Sequence, residues 1–375
     1  MNRRTVLGSI GLIGGLTASG QAGARVPHPP ASGSGRTGPL NLITDVPGLT
    51  VGQAQSLAAR TGVTVILADQ PATAAVDVRG GGPASRETDA LKPENLVQQL
   101  DAVVLSGGSV YGLAAADGVT AWLGAQGRGF GMGAAPGVPL SPIVPSACLY
   151  DLANGGDKAW GMEPPYRALA VAACEAAGDS FALGTAGAGY GATAGALKGG
   201  VGSASTLMTG GATVGAVVAV NSVGSVVAPG GRSFWAAPYE IGDEFGGLGP
   251  GGLSAAAEDW GLAKVSARPR ENTTIACVAT DVTLTRVECQ RIAIMAQDGM
   301  GRAIRPSHSP FDGDIVFVLS TGKRNLPEGA MRQLEVARIG AVAADTLARA
   351  IARGVYHATS WPEQPGGTWR DLPGD

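Results

Sequence analysis

The chain has little of what most enzymes use for chemistry. Only three histidines occur in 375 residues, and His28 and His357 lie towards the ends. That argues against a three-histidine zinc site, and a Ser-His-Asp triad would have to use His308 or the peripheral His357. The four cysteines, Cys148, Cys174, Cys277 and Cys289, form no CxxC pair. Two disulfides are open to an exported chain. Buried free thiols are the other reading, since Cys277 lies inside an apolar run. Charged residues make up 15% of the sequence and the net charge is -3, with no basic stripe interleaved with aromatics. No general attraction to nucleic acid follows from such a balance. No apolar stretch is long enough to span a bilayer, so stable membrane insertion is not expected.

What the chain has in quantity is glycine, 60 residues without a Gly-x-y period, and a hydrophobic content of 45%. Collagen is excluded, and close backbone approaches and tight turns are expected inside a well-packed fold. The amino terminus has its own pattern. Asn2-Arg3-Arg4 precedes an apolar, Gly-rich run from Val6 to Ala18, and Ala22-Gly23-Ala24 follows. A basic region, an apolar region and small residues in that order read as a signal peptide over residues 1–24, of the twin-arginine type. Residues 25–38, rich in Pro, Gly and Ser, read as a flexible linker, and residues 39–375 as a single domain. The mature protein is then expected in the periplasm or outside the cell.

Short apolar runs predict strands at Thr61–Leu67 and Thr73–Val78, which could pair, and at Asp101–Leu105, Thr213–Val220, Ile275–Ala279 and Ile315–Leu319. Asn41–Gly48 reads as a strand end entering a turn, and Ser225–Ala228 as a plausible hairpin partner for the run ending at Val220. Helices are expected over Leu113–Leu123, over about twenty residues after Asp281 with Thr283 as a candidate cap, and from about Pro327 to Ala352. The last should turn Met331, Leu334, Ala337, Val342 and Leu347 towards a sheet. Residues 229–271 offer few regular elements and suit a flexible arm, and Trp361 to Asp375 looks like a polar tail.

Two tempting motifs fail. Around Ser109 the sequence runs Gly107-Gly108-Ser109-Val110-Tyr111, which does not satisfy G-x-S-x-G. The glycine-rich stretch Gly184–Gly200 lacks the Gly-Lys-Ser/Thr of a phosphate loop, because Lys198 stands between Leu197 and Gly199.

The candidates for chemistry are few. Thr273, after Asn272, opens a buried strand, where a threonine can equally be an ordinary sheet residue. Lys198 is a lone cation among small neutral residues, which could have a lowered pKa, hold negative charge near a reaction centre, or be a solvated loop lysine. Asn221 ends a strand, where its amide could donate to an oxyanion or cap the turn before Gly224. Asp312 and Asp314 flank a glycine before a strand, as a site or as a plain turn. Tyr150 could reach a pocket or be a satisfied buried tyrosine. Arg79–Asp89 suits a binding loop or an ordinary connection.

Read together, several blocks resemble the P1/S58 peptidase family of aminopeptidase-esterases, β-peptidyl aminopeptidases and nylon-oligomer endo-hydrolases. They are Ile43–Gly48, Arg79-Gly80-Gly81 with Arg86–Asp89, Leu105–Ser109, Asn272-Thr273-Thr274, Ala303–Pro306 and Asp312-Gly313-Asp314, in order over about residues 39–355. The resemblance implies an α/β fold, a four-layer αββα sandwich like that of ornithine acetyltransferases. It implies autoprocessing between Asn272 and Thr273 into large and small chains that stay together, and a homo-oligomer, up to a tetramer of processed pairs. Thr273 is then the nucleophile, with Asn221 and Lys198 in the active centre, Asp312 and Asp314 beside the nucleophile and Tyr150 in the substrate pocket. No cofactor or metal is implied, and the expected partner is a small peptide or amide substrate. The freed α-amine of Thr273, with a reference pKa of ~8, would suit a general base in a histidine-poor chain. Acyl transfer of the ornithine-acetyltransferase type and an uncut binding or structural protein are the alternatives.

Overall fold

The computed structural model describes residues 35–131, 133, 136–251, 259–264, 272–363 and 367–374, with only the backbone for Ala330. The expected signal peptide, most of the linker and parts of the 229–271 arm lie outside the described residues. Gly35–Asp375 forms one compact unit.

The elements follow in the order β1 (Leu49–Ser56), β2 (Thr61–Val78), β3 (Ser85–Arg86), β4 (Gln99–Ser106), α1 (Ala114–Ala125), β5 (Ser146–Cys148), α2 (Tyr166–Glu175), β6 (Thr193–Ala194), β7 (Leu197–Lys198), β8 (Gly200–Leu207), β9 (Thr213–Asn221), β10 (Thr273–Val282), α3 (Arg286–Ala303), β11 (Ile315–Arg324) and α4 (Ala330–Tyr356). The main strands pair in the order β3-β5-β4-β2-β11-β10-β9-β8, with β1 also paired to β2. Neighbours are antiparallel except β4 with β5 and β10 with β11.

The layering follows from the period-two alternation of strand side chains. Val63, Val65 and Leu67 of β2, with Ala102 and Val104 of β4, form one core with α1 and α2. The alternate residues Ile66, Val103 and Leu105 share a second core with Val217, Ile275, Cys277, Ile315 and Phe317. Val214, Val218, Ala276, Val278, Val316 and Val318 make a third core with α3 and α4. Helices, sheet, sheet and helices are thus separated by three apolar interfaces, the αββα sandwich expected from the resemblance. Each fully buried Val, Leu, Ile or Phe adds roughly 1.5–3 kcal/mol.

One strand joins both sheets. Thr61–Leu67 and Thr73–Val78, expected as two runs that could pair with each other, are instead the two halves of β2. Their registers shift between Leu67 and Ala72, where Asp69, Gln70 and Pro71 are exposed. The first half lies between β1 and β4, and the second pairs with β11. A proline, which cannot donate to a ladder, sits at the irregularity where that loss is tolerated.

Other expectations are corrected. Ile43–Asp45 is a 3-10 turn, not a strand end. Ser225–Ala228 forms no strand, because both edges of β9 are taken by β8 and β10. Helix α3 is capped by Thr285, which accepts from the Glu288 N–H while Glu288 reaches back. Helix α4 starts at Ala330 and buries Val336, Ile339, Ala343 and Leu347, leaving Met331, Leu334 and Ala337 exposed. Part of the expected loose arm is packed: Phe234 and Phe245 join the core, and Glu244 pairs with the buried Arg349 at 2.5 Å. The tail is not simply polar, since Trp361 and Trp369 are buried. All four cysteines are buried free thiols.

Candidate active site

The site forms where the ends of β9 and β10 meet the turn leading into β11. Asn221, the last residue of β9, lies directly across from Thr273, the first of β10. Asn272 bridges in parallel to Asp312, and the Gly313 N–H donates to the Asn272 carbonyl at 3.0 Å. The same carbonyl accepts the Thr273 hydroxyl. Asn272 and Thr273 are both buried. A β-branched residue suits the first position of a central strand, and its hydroxyl here lies against the peptide bond that precedes it.

The turn before β11 is fixed from two sides. The Asp314 carboxylate accepts the Thr274 N–H at 2.8 Å through one oxygen. Through the other it takes the His308 N–H at 3.1 Å and contacts His308 Nδ1 at 2.8 Å. Asp312 accepts the Val223 N–H at 3.1 Å, and the Ser309 N–H and hydroxyl at 3.1 and 2.6 Å. Burial, reinforced by the charge of Asp314, pushes the Asp312 carboxyl above its ordinary range. From the far side, Arg79 and Gly80 donate N–H groups to the Asp314 carbonyl and Gly82 to that of Asp312. Arg79–Gly82 is therefore a backbone clamp on the site. A Cβ at Gly80 would collide with the Asp314 nitrogen and the Asp312 carbonyl, which explains the glycine.

Asn221 is held at both ends of its amide. Its oxygen accepts the Thr193 N–H at 2.9 Å, and its nitrogen donates to the Tyr150 carbonyl at 2.9 Å. A carboxamide nitrogen has two N–H groups and suits donation to a developing anion. Asn221 thus ties the Thr193 N–H and the Tyr150 carbonyl together at the end of β9.

Lys198 is buried. Its ammonium donates to the Tyr190 and Ala192 carbonyls, each at 2.9 Å, and sits 4.7 Å over the Trp361 ring. Burial pulls its pKa down to about 7, opposed by the charge of Asp151. Lys198 reaches the site through its strand pairing with Thr193, which in turn holds Asn221. Its ammonium is engaged by main-chain carbonyls, and the Thr273 hydroxyl by the Asn272 carbonyl.

A cavity of about 180 Å³ opens beside these groups, lined by Tyr150, Asn154, Thr193, Asn221, Lys264 and Asn272, with Asp151 at its wall. Tyr150 does reach it. Asp151 is buried, accepts from Thr61 at 2.6 Å and from the Gly108 N–H at 2.8 Å, and is pushed up to about 6 by burial. The Leu105–Ser109 block thus supports the cavity wall through Gly108, and Ser109 carries no triad.

The structure gathers Thr273, Asn272, Asn221, Asp312 and Asp314 at one junction, with Tyr150 on the adjoining cavity and Lys198 one strand pair removed. Sequence reasoning missed Gly313, Lys264, the contact of His308 with Asp314, and Trp361. Gly313 stands between two candidate carboxylates but acts through its main chain; Lys264 gives no signal in its irregular surroundings.

The sequence profile of peptidase family S58 matches residues 41–368. The chain belongs to this family. Among its relatives is an uncharacterized aminopeptidase of Mycobacterium bovis, 44% identical over 354 residues, covering 89% of this chain and 98% of that one. A 6-aminohexanoate-oligomer endohydrolase of a Kocuria species is 30% identical over 334 residues, covering 83% and 85%. Among solved structures, a β-aminopeptidase of a Burkholderia species aligns with a TM-score of 0.66 at 22% identity, covering 90% of this chain and 94% of that one. The L-aminopeptidase D-Ala-esterase/amidase of Ochrobactrum anthropi aligns at 0.65 and 23% identity, covering 90% of each. The latter is a variant of the Ntn hydrolase fold, and the layers seen here are of that kind. As an S58 member the chain is a hydrolase of the aminopeptidase and oligomer-hydrolase class.

Proposed function

We propose that this S58 hydrolase makes its own nucleophile by cutting between Asn272 and Thr273, and that the new N-terminal threonine then hydrolyses small peptides or amides. The observation that carries this reading is the Asn272 carbonyl, contacted by the Thr273 hydroxyl and by the Gly313 N–H together. In the cutting step the Thr273 oxygen adds to that carbonyl carbon. The Gly313 N–H stabilises the oxyanion, and the Thr273 nitrogen leaves carrying the proton given up by the hydroxyl. The resulting ester is opened by water, freeing an Asn272 carboxylate and a Thr273 amine.

In the mature enzyme the amine removes the hydroxyl proton as the oxygen attacks a substrate amide. In this reading the Gly313 N–H and an N–H of the Asn221 amide donate to the oxyanion, a donor of this kind being worth ~3 kcal/mol. The substrate amine departs with the proton, and water releases the acyl group. Asp314 and Asp312 position the strand and turn. The two chains stay together, and residues 1–24 direct export and are removed. N-terminal sequencing of the purified protein should return Thr273 on a small chain, and Thr273→Ala should remain one folded, inactive chain. An active preparation with an intact 272–273 bond would overturn the proposal.

A further inference from the structure

The precursor carries a picture of how an acyl group sits in the site, because Asn272 is the acyl component of the bond to be cut. Its side-chain oxygen accepts from the Lys264 ammonium at 2.6 Å, and the same ammonium donates to the Thr193 carbonyl at 3.0 Å. The other end of the Asn272 amide, Nδ2, is buried and makes no hydrogen bond among the described residues. The subsite therefore rewards an oxygen more than a nitrogen.

Lys264 is anchored independently of the scissile bond. Its N–H donates to the Val223 carbonyl at 2.9 Å, and the Leu262 carbonyl accepts the Ala196 N–H at 2.7 Å. It lies eight residues before Asn272. Cutting the 272–273 bond removes neither these two contacts nor the one to Thr193. Asn272 lines the adjoining cavity together with Lys264, Tyr150 and Asn221, so a substrate acyl residue that takes its place meets the same side chains.

Resting on the amidase reading above, we infer that Lys264 is a specificity-determining residue of the mature enzyme. It selects substrates whose acyl residue carries a hydrogen-bond-accepting oxygen, carboxamide or carboxylate, at the reach of an asparagine side chain. An apolar side chain of the same size would not replace that acceptor, and such a loss is what discriminates strongly in polar subsites.

The test compares kcat/KM of the cut wild type and of Lys264→Met on asparaginyl, aspartyl and leucyl p-nitroanilides. The wild type should favour asparaginyl or aspartyl over leucyl by about tenfold or more, and Lys264→Met should bring that ratio near one. The asparaginyl and aspartyl arms tell a neutral acceptor from a charged one. Leucyl turnover equal to both in the wild type, or a ratio unchanged in Lys264→Met, would overturn the inference. Failure of cut wild-type enzyme to hydrolyse any of the three would overturn the amidase reading and this inference with it. Self-cutting supplies a second measurement that needs no mature variant. Asn272→Leu should cut about tenfold more slowly than Asn272→Asp, and equal rates would count against the subsite.

Discussion

At the residue scale, Gly313 links geometry to reactivity. A Cβ there would stand 2.7 Å from the Thr273 hydroxyl and 2.8 Å from the Gly82 carbonyl. Gly313→Ala should therefore displace the hydroxyl and its oxyanion donor together. We expect a folded chain that cuts itself at least ~100-fold more slowly, followed as the cut fraction over time on denaturing gels. Lys198 gives a prediction of another kind. Its folded pKa of about 7 lies below the unfolded value of 10.5, so the folded chain holds fewer protons between them. Stability therefore rises with pH across that window, and as pH falls it drops until it levels off below about 7. The slope is at most about 1.4 kcal/mol per pH unit. Urea unfolding of uncut Thr273→Ala protein at pH 7, 7.5 and 8 should show this rise, and adding Lys198→Met should flatten it. Of the site, the polar residues beside apolar strands were legible in the sequence. Gly313 was not, because it acts through a main-chain N–H that no residue type advertises.

At the scale of elements, the strands β4, β9, β10 and β11 could be read from their buried, β-branched runs. Contacts remote in sequence decided the rest. Nothing local says that β2 passes from one sheet to the other, or that β9 has both edges filled and leaves Ser225–Ala228 without a place. Thr283 and Thr285 are equally good caps by residue type. Position settles it, since only Thr285 has Glu288 three residues on, on the first turn of α3. Thr285→Ala should cost about 1 kcal/mol of stability. Urea unfolding of the uncut Thr273→Ala background measures it, and no change would mean that the cap is not formed in solution.

At the scale of the whole molecule, the residues after the proposed cut are not an appendage. β10 and β11 stand between β9 and β2, and α3 and α4 cover one face of that sheet. The cut chains should elute together in size-exclusion chromatography and separate only in denaturant; two native peaks would contradict this. Trp361, read from sequence as part of a tail, packs on Lys198 and donates to the Tyr190 carbonyl at 3.0 Å, so even the far end of the chain reaches the site.

The burial of the 272–273 junction between β9 and the turn before β11 has a consequence for timing. A ribosome-bound fragment ending before Ile315 lacks the strand that brings Gly313 to the Asn272 carbonyl. Activation by the proposed route is then a checkpoint on assembly: a chain that has not completed its central sheet holds no catalyst, and hydrolytic power appears only in molecules that have folded correctly.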